Sequence, residues 1–120
     1  MKTNGRAAIA YIAGRLVTGL NSNAIFDYSQ SKYIQIAGTV TPAQVQVFDY
    51  ELGAHISGSG NGTNFSLFNY GESSHIALTI TQRNFRGYDY GTGSHFQGNV
   101  SGRTVQLYDF QESAYYSYAL

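Results

Sequence analysis

The sequence predicts an all-β domain: an up-and-down antiparallel meander of about ten strands, built from five hairpin repeats and closed as a small barrel. Three observations predict it. An aromatic–Asp/Asn–aromatic triplet recurs as Phe26-Asp27-Tyr28, Phe48-Asp49-Tyr50, Phe68-Asn69-Tyr70, Tyr88-Asp89-Tyr90 and Tyr108-Asp109-Phe110. The first rings stand at 26, 48, 68, 88 and 108, so the spacings are 22, 20, 20 and 20. Seven residues after each first ring comes a second ring: Tyr33, His55, His75, His95 and Tyr115. Third, 11 Tyr, 7 Phe and 14 Gly with a single Pro among 120 residues favour strands and turns over helices. A period of 20 is too short for two helices and their connections but suits one hairpin.

The elements follow in order. Residues 7–20, "AAIAYIAGRLVTGL", read as a strand or a short helix. Strand is favoured because Tyr11 precedes Phe26 by the same 15 residues that separate Tyr33 from Phe48. Residues 23–120 hold the five hairpins, and residues 1–120 form one domain, a length that suits a single core. After each triplet a three-residue loop is expected: Ser29-Gln30-Ser31, Glu51-Leu52-Gly53, Gly71-Glu72-Ser73, Gly91-Thr92-Gly93 and Gln111-Glu112-Ser113. Gly53 and Gly93 take the last place, where such loops want a left-handed residue. The other connections, such as "GSGNGT" and "TVTPAQ", are turn-like, and Pro42 sits in one of them.

Alternation then assigns two faces. Phe26, Tyr28, Ile34, Phe48, Tyr50, Ile56, Phe68, Tyr70, Ile76, Tyr88, Tyr90, Phe96, Tyr108, Phe110, Tyr116 and Tyr118 make the bulkier face, which is expected to be the core. Val45, Val47, Asp49, His55, Ser57, Leu67, Asn69, His75, Asp89, His95, Gln97 and Asn99 make the mixed, half-solvated face. Closure is preferred because it removes exposed edges. Ten alternating strands close with antiparallel pairs throughout, whereas an eleventh would meet the first in parallel. The alternatives are a β-sandwich and a β-solenoid, and bulky inward rings disfavour the latter.

The chemistry is sparse. With three-residue loops, Asp49 faces His55, Asn69 faces His75 and Asp89 faces His95, giving a carboxylate–imidazole rim. Such a rim could orient a general base or hold a metal. Its recurrence in every hairpin, with Tyr and Asn as substitutes, favours a structural role pinning register. No catalytic residue, cofactor or metal is therefore expected. Inward rings Tyr50, Tyr70, Tyr88, Tyr90, Tyr108 and Tyr116 are the candidates for lining a ligand cavity. Only 12% of residues are charged and the formal net charge is zero, which argues against nucleic acid and against a polybasic membrane surface. No apolar run approaches the ~18 residues of a membrane helix, and the N-terminal segment lacks the pattern of a secretory signal. The compartment is left open. The expected function is that of a non-catalytic, monomeric binding or structural barrel whose ligand is a small apolar molecule or a glycan. An enzyme or metal-binding protein using the Asp/His rim is the alternative.

Overall fold

The computed structural model describes all 120 residues. One helix, α1 (Thr3–Thr18), precedes eleven strands: β1 (Ile25–Asp27), β2 (Lys32–Ile34), β3 (Ile36–Val40), β4 (Gln44–Asp49), β5 (Ala54–Gly60), β6 (Asn64–Asn69), β7 (Ser74–Thr81), β8 (Asn84–Asp89), β9 (Ser94–Ser101), β10 (Thr104–Asp109) and β11 (Ala114–Ala119). All pairings are antiparallel, in the order β2-β1-β11-β10-β9-β8-β7-β6-β5-β4-β3. The sheet is a nearly closed barrel with one unsealed seam.

The seam lies where β2 passes into β3 through the single residue Gln35. Residues 32–40 are one strand torn at its middle: the first half pairs with β1 and the second with β4. Counted that way the barrel has ten alternating strands, and closure through β1 and β11 is antiparallel, with Phe26 opposite Ala119 and Asp27 opposite Tyr118. Each torn half is held by a side-chain contact. Arg15 Nη1 donates to the Gly38 carbonyl on β3 at 2.7 Å, and Lys32 of β2 pairs with Glu51 of the next turn at 3.1 Å.

The N-terminal segment is a helix and not a strand. It fills the bore of the barrel, with Gly5 through Gly14 buried on every side. A segment enclosed by a nearly closed sheet has no continuous strand edge to pair with, and a helix satisfies its backbone groups internally. Ala7, Ala8, Ala10 and Ala13 favour helix and are small enough for the bore. Gly19 ends the helix at φ 72°, its N–H bonded to the Arg15 carbonyl at 2.9 Å. Val105 and Leu120 close so tightly on Gly14 that a side chain there would overlap them, 3.0 and 2.9 Å from an added Cβ.

The tip loops have four residues, not three. Asp49 stands opposite Ala54, leaving Tyr50–Gly53 as the loop, and the other four hairpins repeat this register. The left-handed place is the last one, as expected: Ser31, Gly53, Ser73, Gly93 and Ser113 have φ of 53°, 70°, 52°, 68° and 53°. The extra loop residue turns over the first strand of each hairpin relative to the second. The inward side chains are therefore Val45 and Val47, Phe65 and Leu67, Phe85, and Val105 and Leu107, together with Ile34, Ile56, Ile76, Leu78, Phe96, Val100 and Tyr118. The assignment of Phe26, Phe48, Phe68, Tyr88, Tyr108 and the tip rings to the core is corrected. They stand on the outer wall, and the second strands alone keep the expected faces.

Candidate functional site: an aromatic rim and grooves on the outer wall

The central residue of each triplet points inward. Asp27, Asp49, Asn69, Asp89 and Asp109 are all buried. In each, Oδ1 accepts the backbone N–H two residues on, from Ser29, Glu51, Gly71, Gly91 and Gln111, at 2.9–3.0 Å. These are Asx turns, which explains why an Asn serves in one of the five places. Two of the second oxygens reach the start of α1: Asn4 Nδ2 donates to Asp49 Oδ2 at 2.9 Å, and Asp109 Oδ2 accepts from the Met1 ammonium at 2.9 Å and Arg6 at 3.3 Å. Two carboxylates, Asp49 and Asp109, thus sit at the positive end of the helix dipole.

The Asp–His rim does not form. His55 stands opposite Phe48, His75 opposite Phe68 and His95 opposite Tyr88, all on the outer wall, with the Asp and Asn on the inner one. Each first ring is gripped edge-to-face by two others: Phe48 by Tyr50 and His55 (4.9 and 4.6 Å between centroids), Phe68 by Tyr70 and His75 (4.7 and 5.0 Å), Tyr88 by Tyr90 and His95 (4.9 and 4.7 Å). Phe26 and Tyr108 repeat the arrangement with Tyr28 and Tyr33, and with Phe110 and Tyr115. The result is a girdle of five three-ring clusters around one rim, with Tyr33, Tyr90 and Tyr115 about two-thirds exposed.

Beside these clusters the outer wall is grooved at the repeat spacing. One groove of about 230 Å³ is lined by Gln46, His55, Ser57 and Tyr70. The next, about 310 Å³, has Ser66, His75, Ala77 and Tyr90 in the corresponding places. The third, about 440 Å³, has Arg86, His95, Gln97 and Phe110 there. A fourth, about 310 Å³, keeps Gln106 and Tyr115 and adds Asn84, Arg86, Gln97, Asn99 and Tyr108. Equivalent grooves lie two strand spacings apart, about 9.5 Å. Of the six candidate ligand-lining tyrosines, Tyr70, Tyr90, Tyr88 and Tyr108 line grooves, on the outer wall and not in a bore. Tyr50 is exposed at its tip, and Tyr116 lies under the Arg6 guanidinium, 3.8 Å from the ring centroid. Arg86, Gln97, Asn84, Asn99 and Gln106 complete the grooves. The sequence marks them only as hydrogen-bonding side chains at alternate strand positions.

Inside, Arg6 Nε and the Tyr118 hydroxyl are buried without hydrogen-bond partners. Burial raises the Tyr118 pKa above the usual phenol value, and the Asp27 carboxylate pushes the same way, against a smaller opposing pull from Arg6. Burial also raises that of Tyr11, which Arg15 partly offsets. No three His, Asp or Glu side chains converge as a metal site would require. No helix is long and apolar enough to cross a membrane. No family model, curated protein or solved structure matches the chain.

Proposed function

We propose that the protein is a non-catalytic glycan-binding module that uses the outer wall of the barrel. The observation that carries this reading is the recurrence of one groove type, with an exposed ring at one wall and a hydroxyl or amide at the floor, at 20-residue intervals. A sugar ring presents an apolar C–H face and a rim of hydroxyls. An exposed tyrosine offers a flat apolar face with a polar tip, and Gln, Ser and Asn supply donors and acceptors. The grooves are open and small, so each site alone is weak. Neighbouring sites at about 9.5 Å let one oligosaccharide engage several, which raises affinity through effective concentration. That the helix occupies the bore supports a site on the outer wall rather than in a lumen. The non-catalytic reading is supported by the surroundings of His55, His75 and His95, which pack on rings and have no carboxylate to orient them.

A glycan array followed by calorimetric titration tests the proposal. Binding of oligosaccharides that tightens with chain length, and weakens on Tyr90→Ala, is expected. Failure to bind any sugar of several units would overturn it.

A further inference from the structure

Building on the reading that sugars sit on the outer wall, we infer that the paired grooves over β7–β10 select a glycan bearing a hexuronate carboxylate, which Arg86 binds. Arg86 points outward from β8, is exposed, and takes part in none of the ion pairs of the molecule. It lines both neighbouring grooves. Across the sheet it stands between Thr79 and Gln97, and Gln97 in turn stands opposite Tyr108. One cross-strand row thus offers a hydroxyl, a guanidinium, an amide and a ring.

The charge around that row has one sign. The seven acidic residues are Asp27, Asp49, Asp89 and Asp109, inside the barrel, and Glu51, Glu72 and Glu112, in the tip loops. None lines either groove, while His95 lines one of them. An unpaired guanidinium on a wall without carboxylates is matched to a planar carboxylate, which it can hold with two parallel hydrogen bonds. The equivalent places in the other four repeats carry Ala24, Gln46, Ser66 and Gln106, which are neutral. One cation among neutral sites fits an isolated uronate, and not a densely sulfated chain, whose closely spaced charges call for several cations.

The test is calorimetric titration of the whole protein with tetragalacturonate, with its carboxyl-reduced neutral counterpart, and with a sulfated tetrasaccharide. The acidic sugar is expected to bind about fivefold more tightly than the neutral one, the scale of one exposed charge pair, with the difference shrinking at high salt. Arg86→Gln should bring the ratio to about one. Lys32→Gln, which removes one positive charge from β2, outside both grooves, should leave the ratio intact. Equal binding of acidic and neutral sugars would overturn this inference while leaving the glycan reading standing. So would an unchanged ratio in Arg86→Gln, or tighter binding of the sulfated sugar. If no sugar binds, the glycan reading and this inference fall together.

Discussion

Phe48 faces His55 across the tip of its hairpin, their ring centroids 4.6 Å apart at 68°, while the adjacent Asp49 points to the other side of the sheet, opposite Ala54. One residue of register separates this arrangement from an Asp–His pair. The consequence is a barrel whose tip rings are outside and whose aspartates are inside, repeated five times.

Core and surface should therefore be distinguishable in one strand. Leu67 is buried and its neighbour Phe68 is on the outer wall. Leu67→Ala should cost about 2–5 kcal/mol by chemical denaturation, as a buried leucine does. Phe68→Ala should cost only about 1 kcal/mol, the scale of the edge-to-face contacts it loses. A larger loss for Phe68 than for Leu67 would mean that the two faces are exchanged.

The inward acceptors differ in what they hold. Asn69 performs the Asx turn without a charge, so Asp89→Asn should change stability by less than about 1 kcal/mol. Asp109 also pairs with the buried Arg6. Asp109→Ala should cost about 3–5 kcal/mol, because the guanidinium is left in the interior without its counter-charge. Denaturation midpoints of the two variants side by side test the distinction.

The left-handed loop residues offer a stabilising change. Ser73 adopts φ 52° in the place that Gly53 occupies at φ 70°. Ser73→Gly should stabilise by about 1 kcal/mol and Gly53→Ala should destabilise by about as much. Nothing lies within 4 Å of an added Cβ at Gly53, so that cost is conformational and not steric.

Tyr118 makes stability fall in alkali. Its folded pKa is raised, so the contribution is present below the unfolded value near 10 and is lost as pH climbs above it toward the folded value. Tyr118→Phe should flatten that decline. At neutral pH it should be neutral or stabilising, because the hydroxyl it removes has no hydrogen-bond partner. Thermal unfolding of both proteins across the alkaline range checks the two expectations together.

The sequence carried the repeat, the hairpins, the antiparallel closure and the left-handed loop position, because each is written in spacings and turn residues. The faces of the first strands were not legible. In "VQVFDY" both alternations hold apolar side chains, and the bulk of Phe48 and Tyr50 outweighs that of Val45 and Val47. Only loop length decides between them. It is set by the Asp49 carbonyl accepting from the Gly53 N–H at 2.8 Å, a four-residue closure that the residues also allow to be three. The buried helix was obscured by a coincidence of spacing at Tyr11. Its all-round apolar surface, unlike the alternation of the repeats, was the sign that it lies enclosed. The groove residues were hidden for a related reason: Arg86 and Gln97 look like ordinary solvent-facing positions until register places them side by side.

The most direct test of the account is a nuclear magnetic resonance titration of the protein with a neutral oligosaccharide, following assigned aromatic and amide signals. Shifts should appear at Tyr70, Tyr90 and Tyr108 and at the side-chain amides of Gln97 and Gln106, with Tyr11 and Tyr118 unmoved. Shifts confined to the interior tyrosines, or none at the grooves at saturating sugar, would contradict it.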